Sequence, residues 1–364
     1  MNISEWILNV NMTNKTMRAL VFDKPLRMAD VPMPEIREND EARIRVKYTG
    51  ICGTDIHILR NEYPAKLGVI LGHETTGIVE AVGSRVRNVK PGDNVILDPT
   101  YHCNICDQCR NDLPNYCAEK GHTETGVSSN GTFAEHHVAN ANFLYPLPEG
   151  VSFETGTLAE PLACVLNALR QTTVRPESRV LVVGSGPIGL LFALATSSFG
   201  CETTIGDISP YRIAHAKSLA LNVQDYSVKD ILQTNSNRRF DLAIDTSGRS
   251  LEKLLHLADK GGELLTAGLD YSYEMQIKPS FLTDNGIKII GSIDSNLTFA
   301  PAIKMLRDDK RFARIITHSF PIEQYEKAFG VLGLNLKTGE RGNIGAGKVV
   351  ISPESQFHLT RCPV

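Results

Sequence analysis

With 364 residues, 42% of them hydrophobic and 22% charged, the chain has the balance of a globular protein that buries a full core, most simply as two domains. Its net charge of −3 and pI of about 6.4, without any block of basic residues, exclude the electrostatic footprint of a nucleic-acid partner. No apolar run is long enough to cross a bilayer, and eight cysteines, half of them in one short stretch, fit a reducing cytoplasm better than a secreted disulfide framework.

Residues 1–16 read as an N-terminal extension. The apolar run Trp6-Ile7-Leu8 is short, no basic start precedes it and no small-residue cleavage site follows, so the stretch is expected to be neither signal peptide nor membrane anchor. A mainly β domain is expected over residues 17–160. Apolar and charged residues alternate from 41 to 48, and residues 77–82 and Asn94–Leu97 also have strand character. A lobe near residues 98–120 carries Cys103, Cys106, Cys109 and Cys117 at gaps of two, two and seven residues. Four soft thiolates in so tight a loop suit a tetrahedral zinc ion. The iron–sulfur pattern would continue with a shorter gap and Cys-Pro, whereas this chain has Cys117-Ala118; disulfides are the other alternative.

Past residue 152 strand and helix alternate. Arg179–Val183 reads as a buried strand, 187–199 as an apolar helix and 203–206 as a strand, with Ser209 as N-cap and Pro210 in the first turn of a helix over 211–221. Further strands at Phe240–Asp245, 263–267 and 287–293 complete the pattern of a parallel doubly wound sheet, a Rossmann unit assigned to residues 161–298. Residues 299–364 hold a helix at 299–306, a glycine-rich loop at 339–347 and a last strand at 348–351, which is expected to return to the first domain before a C-terminal tail. The expected fold class is α/β, a Rossmann doubly wound sheet plus a mainly β domain.

The first Rossmann strand runs into Gly184-Ser185-Gly186-Pro187-Ile188-Gly189 and then a helix, the context in which Gly-x-Gly-x-x-Gly lets backbone approach a pyrophosphate at a helix N-terminus. Asp207, at the end of the second strand, is placed to accept the ribose hydroxyls and repel a 2′-phosphate, which favours NAD over NADP. Arg212 is close enough to stack on an adenine. Gly268 and Leu269, past the strand at 263–267, and Ser292 and Ile293, ending the strand at 287–293, are further expected cofactor contacts.

A second constellation is dispersed: Cys52-Gly-Thr54-Asp55-Ile-His57, then His73-Glu74, then Glu160-Pro-Leu. A Cys, a His and a Glu could converge on one ion with a fourth position open to substrate, although scattered Cys and His residues are more often core or surface groups. Together with the four-cysteine lobe and the glycine motif, in this order, these motifs make the chain resemble the zinc-dependent medium-chain alcohol dehydrogenases, particularly the polyol and threonine dehydrogenase branch, over roughly residues 17–351. The resemblance implies a GroES-like catalytic domain and two zinc ions, one catalytic and one structural. It places Cys52, His73 and Glu160 at the catalytic metal, Glu160 directly or through water, with Glu74 as a ligand that exchanges with solvent. Thr54 and His57 would relay the alcohol proton, and Asp55 would orient His73. It also implies hydride transfer to NAD and a homodimer or homotetramer joined along the sheet edge at 287–293.

Other conspicuous residues read as structural. His136 and His137 lie on a strand, one facing inward and one outward, and neither is expected to bind metal. Cys164 and Cys201 read as core thiols, Cys362 as part of an exposed tail, and His102 as a spare donor beside the lobe. Polyol dehydrogenases often carry an arginine in the last Rossmann segment, where this chain reads Gly291-Ser292-Ile293-Asp294-Ser295-Asn296, closer to the glucose dehydrogenase branch. The expected reaction is oxidation of a secondary alcohol on a polyol, cyclitol or sugar derivative. The alternatives are an aldose 1-dehydrogenase, a threonine-type amino alcohol dehydrogenase, or a non-catalytic NAD(H)-sensing protein.

Overall fold

The computed structural model describes residues 15–227 and 229–354; Cys362 and nearly all of the N-terminal extension lie outside them. Two sheets dominate. One is six-stranded and wholly parallel, in the spatial order Asn222–Asp225, Glu202–Asp207, Arg179–Val183, Phe240–Asp245, Ala258–Thr266 and Lys288–Gly291. Strand order reverses between Arg179–Val183 and Phe240–Asp245, so a crevice opens beyond their carboxyl ends, where doubly wound sheets bind ligands. The helix entering that crevice, Pro187–Ser198, has Gly186 as N-cap and Pro187 in its first turn, and residues 189–196 are all buried. It is apolar all round because helices and sheet enclose it.

The other sheet is seven-stranded. Glu41–Gly50 pairs with Glu74–Val82 on one side, and with His136–Asn140 and Lys348–Ser352 on the other. The last strand therefore returns to the first sheet, pairing Val350 with Gly50 and Ile351 with Thr49. A separate hairpin, Thr16–Phe22 with Leu26–Pro32, covers a core that includes Leu20, Leu71, Phe133 and Phe329.

Boundaries shift where tertiary pairing outruns local pattern. The strand expected at 77–82 begins at Glu74, and that expected at 263–267 begins at Ala258, extended past a register shift by pairing with Phe240–Asp245. The helix expected over 211–221 is Pro210–Ser218, with Ala220 in the left-handed region at φ 57° just after it. The helix Ala159–Arg170 spans the expected boundary at 160/161.

Phe133 links this packing to the site. Its ring is fully buried, meets Phe329 edge-on at 6.4 Å and lies under Gly72, where an added Cβ would come within 2.8 Å of it. Gly72, at φ 87°, sets the direction of the next residue, His73. Phe133→Ala is expected to cost about 3–5 kcal/mol in denaturant unfolding. It should also loosen metal retention, because the seat of Gly72 is lost.

Candidate active site and metal centres

The lobe gathers four thiols. Sγ of Cys109 lies 3.5 Å from Cys106 and 3.9 Å from Cys103, and the backbone N–H groups of Cys103 and Cys106 donate to Cys117 and Cys103 sulfur at 3.4 Å each. These separations match the ~3.8 Å edge of a tetrahedron with metal–sulfur bonds of about 2.3 Å and are far too long for disulfides. Backbone donors from Ala118 and Cys109 bring the Cys106 thiol down to about 6, and burial pushes Cys109 up to about 12. His102 stays outside this set, its Nδ1 3.1 Å from the Thr100 carbonyl oxygen and its ring against Phe143.

The second set is assembled by a helix start and a strand start. Cys52 is the N-cap of Gly53–Leu59, and the Asp55 carboxylate reaches back to accept the Cys52 amide at 2.9 Å. The other Asp55 oxygen accepts the Gly72 amide at 3.3 Å. The Asp55 side chain therefore fixes the backbone at Cys52 and just before His73. Glu74 opens the strand Glu74–Val82. Ligand atoms of Cys52, His73 and Glu74 all fall within 4.8 Å of one another.

Glu160 is not in that group. Burial pushes its carboxyl up to about 7, and Oε1 accepts from the Cys164 thiol at 3.3 Å, so Cys164 is a partner of the site rather than an inert core thiol. Glu74 is fully buried and forms an ion pair with Lys348, itself 4% exposed, on the returning strand. The Lys348 ammonium donates to Oε1; Oε2, although within ion-pair range of it, has no hydrogen bond. One free thiol, one imidazole and a buried carboxylate are a donor set that zinc fits. Gly50 leaves room for it, since a Cβ there would lie 2.0 Å from Glu74 Oε2.

A cavity of about 670 Å³ joins this set to the crevice, lined by Cys52, Thr54, His57, Glu74 and Lys348 on one side and by Gly184, Gly186, Pro187, Ile188, Gly189, Asp207, Arg212, Gly268 and Leu269 on the other. Glycine is required at 189, where a Cβ would meet the Gly184 carbonyl oxygen at 1.8 Å. The Asp207 carboxylate accepts the amides of Ser185 (2.7 Å), Ile208 (2.8 Å) and Ser209 (2.9 Å), with the Arg212 guanidinium 3.7 Å away. Thr54 Oγ1 is 3.6 Å from Cys52 sulfur, and His57 Nδ1 lies 2.7 Å from a Glu62 carboxylate oxygen.

Ser292 and Ile293 do not line this cavity. The strand ends at Gly291, after which Ser292 accepts from Gln171, and the Ile293 side chain is 45% exposed. Of the strand histidines, His136 faces Glu80 at 3.0 Å, and burial pushes His137 down to about 4; neither joins a metal-type group. Lys348 and Glu62 escaped sequence reading. The available signals were a lysine opening the apolar run Lys348-Val-Val-Ile and a carboxylate five residues past His57.

A doubly wound sheet whose crevice faces a β domain is how nucleotide-linked dehydrogenases bring cofactor and substrate together. Residues 38–149 match the alcohol dehydrogenase GroES-like domain, and residues 187–308 match the zinc-binding dehydrogenase domain. The chain is 31% identical over 347 residues to L-idonate 5-dehydrogenase of Vitis vinifera, covering 90% of each chain. It is 35% identical over 308 residues to D-altritol 5-dehydrogenase of Agrobacterium fabrum, covering 82% of this chain and 90% of that one. The crystal structure of galactitol-1-phosphate dehydrogenase from Escherichia coli aligns with a TM-score of 0.81 at 25% identity, covering 93% of this chain and 100% of that one. The chain belongs to the zinc-binding alcohol dehydrogenase family and is an oxidoreductase of that type.

Lys348→Met leaves the buried Glu74 carboxylate without its cation and is expected to cost about 3–5 kcal/mol in metal-free protein. Zinc supplies an alternative counter-charge, so the loss should shrink in zinc-loaded protein. Urea unfolding with and without zinc measures both.

Proposed function

We propose that the chain catalyses reversible, NAD-linked oxidation of a secondary alcohol on a polyhydroxylated small molecule, giving a ketone, NADH and a proton. The observation that carries this reading is the single cavity shared by Cys52, His57 and Glu74 and by the glycine motif with Asp207. The relatives' names, an idonate, an altritol and a galactitol phosphate dehydrogenase, support a polyol-like substrate class.

In this reading Cys52, His73 and Glu74 hold the catalytic zinc, Glu160 stands by as a second carboxylate, and Cys103, Cys106, Cys109 and Cys117 hold a structural zinc. Zinc held there would acidify the substrate hydroxyl, and NAD bound in the crevice would be the acceptor for the hydride lost from carbon. The protein's part is to orient the alcohol and carry its proton away. Thr54 receives the proton near Cys52. His57 is held through Nδ1 by Glu62, a carboxylate that only accepts, so Nδ1 carries hydrogen and Nε2 is left as the acceptor. The T-shaped contact of Tyr271 with His57, at 5.7 Å, fixes the ring plane. Asp207 places negative charge where a 2′-phosphate would lie, which favours NAD over NADP.

The seven described cysteines are unpaired, in keeping with a cytoplasmic setting. Among the described residues no helix is long and apolar enough to cross a membrane. Lys288–Gly291 is the terminal strand of its sheet, with Ile293 and Leu297 exposed beyond it, and is the surface proposed to join a homodimer or homotetramer.

Cys52→Ser is expected to abolish NAD reduction across polyols, cyclitols, aldoses and amino alcohols while leaving NADH binding intact, as read by nicotinamide fluorescence. Undiminished turnover would rule out the metal assignment. Wild type should favour NAD over NADP by roughly tenfold or more in kcat/KM, and Asp207→Ala should narrow that ratio. Sedimentation should return a multiple of the 40.0 kDa chain mass rather than a monomer.

A further inference from the structure

We propose that Arg341, carried on the glycine-rich loop before the returning strand, is the cation that meets the cofactor's pyrophosphate from the far wall of the cavity, opposite the glycine motif. The proposal rests on the NAD-linked reading given above and gives a task to a residue and a loop which that reading does not use.

The charges that line the cavity single this residue out. Its wall carries five lysine and arginine side chains, Arg212, Arg249, Lys253, Arg341 and Lys348. Four of them are committed to carboxylates. Arg212 lies 3.7 Å from Asp207 and Lys253 lies 2.5 Å from Asp230, while Arg249 pairs with Asp270 and Lys348 with Glu74. The Arg341 guanidinium has neither an ion pair nor a hydrogen bond among the described residues. It is the cation left for an anionic ligand.

The glycine motif on the opposite wall needs such a cation. Its Gly184 amide donates to the Gly206 carbonyl oxygen at 2.8 Å, its Ser185 amide donates to Asp207 at 2.7 Å, and Pro187 has no N–H to offer. Among the described residues this leaves the amides of Gly186, Ile188 and Gly189 for a ligand. A helix N-terminus acts as about half a positive charge, whereas a dinucleotide pyrophosphate brings about two negative ones. A guanidinium supplies the difference through a planar fork that matches two phosphate oxygens.

The loop is built to present that side chain. Leu334 and Arg341 form an antiparallel bridge, the Gly342 amide donates to the Gly333 carbonyl oxygen at 2.7 Å, and the Asn335 amide donates to that of Glu340 at 3.1 Å. The Asn335 side-chain oxygen closes the tip by accepting the amides of Lys337 at 2.9 Å and Thr338 at 3.3 Å. Gly333 (φ 79°) and Gly339 (φ 73°) make the reversals. The loop's other end is seated on the Rossmann unit: a Cβ on Gly347 would come within 2.7 Å of the His215 ring, on the helix that follows Asp207. Leu334, Ile344 and Ala346 line the cavity beside Arg341. Arg341 and the glycine motif therefore border one cavity from opposite ends of the chain's fold.

The test titrates zinc-loaded wild type, Arg341→Met and Arg341→Lys calorimetrically with NADH, NADPH, ADP-ribose and AMP, and follows NAD reduction across the polyol panel. Arg341→Met should weaken NADH and ADP-ribose by roughly tenfold or more and AMP by clearly less, and Arg341→Lys should restore part of the loss. In turnover the change should fall on KM for NAD rather than on KM for the alcohol. A loss for AMP equal to that for ADP-ribose makes the loop a structural support and overturns the proposal. A loss larger for NADPH than for NADH places the guanidinium at a 2′-phosphate and overturns it too. Nucleotide binding that Arg341→Met does not alter overturns this proposal alone, and wild type that binds none of these nucleotides overturns the NAD-linked reading with it. Binding as expected without NAD reduction on any compound leaves the role of Arg341 standing and sinks the reaction.

Discussion

The Lys348–Glu74 ion pair ties the end of the chain to the centre of the site. Both groups are buried, and each is a heavy desolvation cost without the other. Their separation of 274 residues means that neither can be placed until the last strand has docked against Glu41–Gly50. Gly50 belongs to the same arrangement, because the space denied to a Cβ is the space the Glu74 carboxylate occupies. The Lys348 ammonium lies against both Glu74 oxygens and holds that carboxylate in place.

Around this pair the chain places charges mainly through backbone donors. Asp55 binds two amides and Asp207 three, so each carboxylate is positioned by the fold rather than by a mobile side chain. Amides fixed in a helix start or a strand end do not reorganise when a ligand arrives, which is the condition for electrostatic preorganisation. The family motif Cys52-Gly-Thr54-Asp55 is thereby a capping arrangement as well as a chemical one: the acid at the third helical position orients the thiol at the cap.

Much of this was legible in the sequence because the signals are local. The cysteine spacing, the glycine run between strand and helix, and Ser209-Pro210 each describe one short segment of chain, and the structure keeps each as a local unit. What escaped depends on distant partners. Nothing near Lys348 in sequence announces Glu74, 274 residues away. Ser292 and Ile293 lie outside the cavity lining for a related reason. Strand character does extend to Gly291, but Asp294 is then left-handed, with its carbonyl oxygen bonded to Asn167, and neither Ser292 nor Ile293 lines the cavity. Glu160, expected at the metal directly or through water, accepts from the Cys164 thiol one turn further along its own helix.

The returning strand also bears on how the chain is made. Lys348–Ser352 sits between Glu41–Gly50 and Ile316–Pro321 in the first sheet. During synthesis every strand of the Rossmann sheet emerges before this one, so the parallel sheet can close while the first sheet still has an open edge beside Gly50. That domain is discontinuous in sequence, and its completion waits for nearly the whole chain to leave the ribosome. Until then the Thr49–Gly50 end of that strand, beyond the part covered by His136–Asn140, is an unpaired template of the kind that invites misassociation, and a stop codon just before Lys348 would make that state permanent.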